Sequence, residues 1–482
     1  MKVITVKPLI FTVTLLVLCS FNNGGGQEVA DHKNIDETIR YGITQADIRK
    51  YFSSALDGDI TQLKGNKKLA KSDIEDAKSK VWDIWANTVL NHYTEQLPSP
   101  TSHSDVEKWF NMPGPDGTWE LPEGPMPFLY VSKGEAPATG FPLFLFIHGS
   151  GPDPEMEWRA SISWAQVFKD TPSVFFIPQS PQGGTGCRWY QPSRQAKWEQ
   201  LIKLAIASGD INPDKIYIMG ISEGAYGSQR LASFYADYIA GAGPIAGGEV
   251  LVSCPPENLA NVPFTLQTGE DDTMYGRKLL TQKVGYLLDS LETVHPGHYV
   301  HNVNLQPGKG HGCDYTLTTP WLVDFTRNAT PRYFYMENGA LGGINNEPLR
   351  YRDAFYNVRI LEPSDARDND MYRTAYEMII NGNTIDLNVN NVTLSTSQPA
   401  SDSGWTVNLS VDKAFIPAST GKVRIYLSND LVDMSKPVVI KVNGNRKFKG
   451  KVTPKLDVIA ESCALFGDPS RLFTAAVDID IK

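Results

Sequence analysis

The sequence predicts an α/β protein built on a doubly wound, mostly parallel sheet. Runs that are apolar on both faces recur through the middle of the chain, at 141–147, 173–177, 215–219, 238–244, 262–268 and 299–305. Stretches with helical spacing separate several of them, notably 196–207, 225–235 and 277–291. A strand that is apolar on both sides needs cover on both faces, and helices crossing between parallel strands supply it. Sheets of this kind place their chemistry at the carboxyl ends of the strands, so the loops after these runs are where functional residues belong.

The flanks differ in character. Lys2 and Lys7 precede an apolar run over 8–19 that is too short to span a bilayer and has the form of an export signal. Cleavage among the small residues at 24–26 fits this pattern and gives a signal over 1–26. Lipid attachment at Cys19 is the alternative, with Leu18 standing where a small residue is normally required. The expected location is periplasmic or extracellular, with no stable membrane insertion after signal removal. A helical N-terminal extension is expected over 27–114, clearest where Ser72 and Glu75 make a capping box ahead of Ile74, Ala77, Val81, Ile84, Trp85 and Thr88. Trp82 and Trp85 on that stripe read as core packing. The catalytic layer is expected over 115–327 and a connecting segment over 328–380. A β-rich, sandwich-like domain is expected over 381–482, from the alternation at 422–428 and 438–442 and the Asn443-Gly444 hairpin signal.

Composition narrows the function classes. The 482 residues carry a modest formal net charge of −9, and no Lys/Arg run interleaves with aromatics to track phosphates, which argues against nucleic acid as a partner. No CxxC pair or HExxH helix occurs, so no metal site and no cofactor is expected. Beyond the signal the cysteines are Cys187, Cys254, Cys313 and Cys463. They are even in number for an oxidising compartment, and both disulfides and free thiols remain open. Cys313 is the one whose pairing, with Cys254 or Cys187, would restrain a functional loop.

The chemistry centres on Gly220-Ile221-Ser222-Glu223-Gly224, between a strand ending at Gly220 and a helix beginning near Ala225. A sharp strand-to-helix turn lifts a serine hydroxyl clear of the sheet. The helix behind it aims N–H groups and partial positive charge at an oxyanion. Three further loops follow apolar strands in a meaningful order. His148-Gly149-Ser150-Gly151 can give a second oxyanion donor, from Ser150 or its neighbour Gly149, beside the N–H of Glu223, with His148 itself structural. Gly269-Glu270-Asp271-Asp272 offers a carboxylate to orient an imidazole, Asp272 preferred and Asp271 the alternative. Gly310-His311-Gly312 offers a base that exchanges a proton near neutrality.

Together these motifs resemble the α/β-hydrolase superfamily over 115–327. The approach 211–222 looks like that of bacterial carbohydrate esterases and polyhydroxyalkanoate-depolymerase-like esterases. The appended β domain is similar to that of exported polysaccharide-processing hydrolases, including pectin methyl-esterases. Ala225 departs from the second glycine many esterases carry after the serine. The resemblance implies a Ser222–His311–Asp272 triad, no cofactor, and a polysaccharide or oligosaccharide substrate.

The loop 179–197 follows the strand preceding the serine and should lie beside it. Its Trp189 and Tyr190 can stack on a sugar face, and Arg188 can pair with a uronate. This leads to an expected methyl-esterase on a uronic-acid polymer such as pectin. The opposing reading has Trp189 and Tyr190 packing the loop down and Arg188 in a structural ion pair. Acetyl or feruloyl esterase, peptidase of the same fold, and non-catalytic polysaccharide binder are the other readings of the chain.

Overall fold

Parallel strands dominate the central sheet of the computed structural model, which describes residues 43–482 apart from 61–62, 64–67, 103–113, 187, 342–346, 366 and 368–370. The export signal, Cys19 and Cys187 lie outside the described residues. In chain order the strands of this sheet are β1 (Thr101–Ser102), β2 (Gly117–Leu121), β3 (Gly124–Lys133), β4 (Phe141–Ile147), β5 (Ser173–Pro178), β6 (Ile211–Ile221), β7 (Gly241–Ile245), β8 (Phe264–Gly269) and β9 (His301–Gln306). Their spatial order is β1-β3-β5-β4-β6-β7-β8-β9, with β2 beside β3. Every pairing from β5 across to β9 is parallel, whereas β2 and β3 join antiparallel.

Side-chain alternation explains the unbroken apolar runs. Leu143, Leu145 and Ile147 of β4 enter one core cluster, while Phe144 and Phe146 enter another on the opposite face. The covering helices are α1 (Gln45–Leu56), α2 (Ile74–His92), α3 (Pro154–Val167), α4 (Pro192–Ser208), α5 (Glu223–Phe234), α6 (Arg277–Val294) and the short α7 (Thr318–Leu322). Trp198 of α4 lies in the first cluster, and Trp158 of α3 and Leu322 of α7 lie in the second. The run read as a strand from 238 begins pairing only at Gly241, because the preceding residues form a buried turn that closes α5. They are apolar for burial, not for strand pairing.

The N-terminal helices form as their periodicity demands, with one local correction. Ser72 and Glu75 make no capping box. Lys71–Asp73 is a 3-10 turn, and Ser72 Oγ donates to Asp73 Oδ1 at 2.8 Å. A capping box occurs instead on α1, between Thr44 and Asp47. Trp85 is buried edge-on against Phe52, so this stripe is core.

The last third holds two more sheets. One contains β10 (Tyr333–Asn338), β13 (Tyr372–Asn381), β14 (Thr384–Asp402), β15 (Trp405–Pro417), β17 (Val438–Val442) and β18 (Asn445–Gly450). The other contains β11 (Ala354–Phe355), β12 (Val358–Glu362), β16 (Lys422–Leu427) and β19 (Ala475–Asp480). Their inward residues, among them Phe334, Met378, Leu387, Ile425 and Ile479, form one cluster, the core of a sandwich. Asn443 and Gly444 both have positive φ, as the hairpin between β17 and β18 requires. The segment 328–380 therefore does more than connect, since it carries β10 to β13. The region expected to be β-rich also holds a buried helix, α8 (Leu456–Phe466), which packs with α1 and α2.

The described residues belong to one compact unit. Part of the bond between the parallel-sheet layer and the sandwich is a buried charge cluster. Asp237 pairs with Arg352 at 2.9 Å and Arg471 at 2.5 Å, and Asp468 pairs with Arg327 at 2.8 Å and Arg471 at 2.7 Å. Burial raises the Asp237 carboxyl, but the two guanidinium groups outweigh it and hold the acid below its ordinary range. A second bond is a ribbon. Beyond Thr393, β14 pairs among the described residues with β15 alone. This two-stranded arm reaches the parallel-sheet layer at Gly276, whose Cα faces Val407.

Candidate active site

Four loops at the carboxyl ends of β4, β6, β8 and β9 converge on Ser222. The serine sits between β6 and α5 with φ 58° and ψ −112°, a conformation that costs a non-glycine residue about 1–3 kcal/mol. Dense packing maintains it. A Cβ on Gly224 would fall 2.2 Å from the Ile147 carbonyl oxygen, so only glycine lets α5 start so close to β4. Ala225, the departure from related sequences, is accommodated by Gly247 opposite, where an added Cβ would come within 2.7 Å of Ala225 Cβ.

Ser222 and His311 line one cleft of about 290 Å³ with Gly149, Ser150, Glu157 and Tyr315. His311 Nδ1 lies 2.7 Å from Asp272 Oδ2. An ionised carboxylate there can only accept, so Nδ1 carries the proton and Nε2 is left as the basic nitrogen. Asp272 is thereby the carboxylate that meets the histidine, whereas Asp271 is exposed and uses its backbone N–H on Lys309. Burial raises the Asp272 carboxyl, but the hydrogen bond from His311 and the charge of Arg277 overcome this and hold it below its ordinary value.

Glu223 begins α5, where first-turn N–H groups have no intrahelical carbonyl to meet. Across from it the β4 loop is immobilised by three contacts. His148 donates from Nδ1 to the Gly149 carbonyl at 2.6 Å and accepts at Nε2 from Ser180 N–H at 2.9 Å, and Trp189 Nε1 donates to the His148 carbonyl at 2.8 Å. Burial drives the His148 pKa down to about 4, so this imidazole is a neutral strut. Gly149 lies against Ser222 Cβ, which places the loop's backbone beside the serine.

The sequence reading of the 179–197 loop needs correction. Trp189 is 0% exposed and packs on His148 and Trp198, so it braces the β4 loop and has no face for a sugar. Tyr190 is also buried, with the Arg230 guanidinium 4.0 Å from its ring centre. Arg188, its side chain 27% exposed, pairs with Glu223 at 2.6 Å, so its charge is already matched. Among the described residues the free thiols are Cys254, Cys313 and Cys463, all buried; Cys313 donates weakly to the Gln267 carbonyl and does not tether the histidine loop to Cys254.

Sequence reasoning missed two residues. Arg277 of α6 binds Asp272 Oδ1 at 3.0 Å and Tyr226 Oη at 2.8 Å, and lies 3.2 Å from His311 Nδ1. In the tautomer above that last contact joins two donors, so Arg277 serves the acid. Glu157 of α3 lines the cleft, its carboxylate against Gly149 and Gly151. Spacing from Asp272 could have suggested Arg277; nothing local marks Glu157. Among the described residues no group of His, Cys, Asp and Glu is arranged for a metal, and no helix is long and apolar enough to cross a membrane. Wider hollows of about 600 Å³, one at Arg424, Lys451 and Asp478, do not include Ser222 or His311.

No protein-family model matches the chain. Over 131 residues it is 28% identical to poly(3-hydroxyalkanoate) depolymerase C of Paucimonas lemoignei, covering 25% of this chain and 31% of that one. The chain thus spans less than a third of that relative. Among solved structures, a thermostable esterase aligns with 22% identity and TM-score 0.34, over 44% of this chain and 62% of its own. Thermogutta terrifontis esterase 2 aligns with 11% identity and TM-score 0.33, over 44% and 92%. The functional reading rests on the geometry around Ser222.

Proposed function

We propose that this chain is a serine carboxylic-ester hydrolase of the α/β-hydrolase superfamily, exported from the cell. Its substrate in this reading is a plant polysaccharide, and the bond it cuts is an ester decoration. The observation that carries the proposal is the 2.7 Å contact of His311 Nδ1 with Asp272, in a cleft shared with a serine strained at φ 58°. Ser222 Oγ attacks the ester carbonyl while His311 Nε2 takes its proton. The oxyanion is held by the N–H of Glu223 and of Ser150 or Gly149. His311 then protonates the departing alcohol, and water, deprotonated by the same nitrogen, releases the acid from Ser222.

The cleft favours a neutral acyl group, such as acetyl on a sugar hydroxyl, over the methyl ester of a uronic-acid polymer such as pectin. Arg188 is matched by Glu223, and Glu157 adds negative charge beside the oxyanion loop, so neighbouring uronates would be repelled. The exposed part of Arg188 supports the methyl uronate as the second reading. Acetate release from acetylated xylan and methanol release from pectin, each with Ser222→Ala as control, separate the two. Acetate release that disappears in the variant is expected. Methanol release exceeding acetate would establish the second reading, and hydrolysis surviving in Ser222→Ala would overturn the assignment of the nucleophile.

A further inference from the structure

The turn after Asp272 carries an aromatic surface that ester chemistry does not require. Met274 and Tyr275 are 49% and 50% exposed, and Trp405, at the tip of the β14–β15 ribbon, is 39% exposed. The Tyr275 and Trp405 rings touch, with centres 4.3 Å apart and planes tilted by 54°. Tyr275 holds a left-handed conformation, φ 58°, and strain of that kind collects at sites that clamp ligands. A two-stranded ribbon is marginal without support, yet this one extends well past its sheet and ends on the catalytic layer. Contacts join its tip to the catalytic histidine: Trp405 meets Tyr275, the Arg277 guanidinium lies 5.2 Å from the Tyr275 ring, and Arg277 bonds Asp272, which bonds His311.

We propose that Tyr275 and Trp405 form a platform on which the polysaccharide chain rests while its ester decoration reaches Ser222. This rests on the ester-hydrolase reading of Ser222 and names the part of its substrate that lies outside the cleft. The chemistry of the two rings selects the occupant. Each pairs an exposed apolar face with a polar atom, the Tyr275 hydroxyl and the Trp405 indole N–H. Aromatic faces with polar edges match a pyranose chain, which presents C–H faces and equatorial hydroxyls. A polyester offers no hydroxyls along its length to meet those edges. The β sandwich thus acts on the substrate through its ribbon, and the specificity of the catalytic layer depends on a residue 94 positions beyond the last member of its triad.

The full-length Ser222→Ala protein, which binds without turnover, provides the test. Titration with an acetylated xylo-oligosaccharide should show binding that weakens about tenfold when Trp405→Ala is added and is largely restored by Trp405→Phe. Equal affinity with and without the Trp405 ring would overturn the platform. Oxidation of Trp405 by N-bromosuccinimide, mapped by mass spectrometry with and without the oligosaccharide, needs no ribbon variant and so covers a substitution that fails to fold. Protection by the sugar is expected. No protection, or protection by poly(3-hydroxybutyrate) particles but not by the sugar, would also overturn it. Binding that depends on Trp405 in a protein whose Ser222 form hydrolyses no ester would instead refute the catalytic reading and leave the platform standing.

Discussion

The strut under the oxyanion loop makes the protein sensitive to mild acid. His148 is 1% exposed and uses both ring nitrogens, donating to Gly149 and accepting from Ser180. Burial lowers its pKa from 6.5 to about 4; the Gly149 carbonyl opposes this and the charge of Arg194 adds to it. The unfolded chain therefore takes up the proton first as pH falls. Stability is lost from about pH 6.5 downward, and the loss stops growing below about pH 4. At about 1.4 kcal/mol per unit, the residue costs roughly 2 kcal/mol at pH 5 and about 3 kcal/mol by pH 4. His148→Gln keeps an acceptor for Ser180 and a donor for Gly149 but does not titrate. Urea unfolding of both proteins between pH 8 and pH 5 should find the wild type's advantage shrinking by about 2 kcal/mol. Parallel pH curves for the two proteins would refute the reasoning, since the remaining titratable groups are common to both.

Two other substitutions test the geometry of the site. Gly224→Ala drives a methyl group into the Ile147 carbonyl and should cost about 3 kcal/mol or more, read as a lower melting temperature together with lost esterase activity. Arg277→Gln leaves the buried Asp272 with His311 alone and should destabilise by about 3 kcal/mol. Because the Asp272 carboxyl is held low, its stabilising contribution is present above the ordinary carboxylate range and is lost as pH falls through its folded value. Removing Arg277 raises that value, so acid unfolding followed by tryptophan fluorescence should shift to higher pH; an unchanged midpoint would remove Arg277 from the account of the acid.

What the sequence made legible was local. The apolar runs of β4 to β6 and β8, the glycine turn, and the order of serine, acid and histidine depend on neighbours within a few residues, and they stand in the structure where their spacing placed them. The residues misjudged were those whose meaning depends on facing. Arg188, Trp189 and Tyr190 have the side chains of a sugar site, but Trp189 and Tyr190 are turned inward, and Arg188 is claimed by Glu223 at the start of α5. Glu157 enters the cleft from a helix whose amphipathic pattern gives no sign of it, and Arg277 reaches Asp272 from the first turn of α6. The strands β10 to β12 are short and read as a connection because β10 and β12 are completed by partners tens of residues away, in β13 and β16.

The buried charges joining Asp237 and Asp468 to Arg327, Arg352 and Arg471 bear on how such a chain can change over time. Ending the protein just after Arg327 would leave Asp237 without Arg352 and Arg471, and Arg327 without Asp468. A buried pair that loses one member costs about 3–5 kcal/mol, a large share of the stability a folded protein has. The catalytic layer is therefore not a cassette to be shuffled between proteins or transplanted by an engineer. Its inheritance is tied to that of the sandwich, and variation has to proceed in both together.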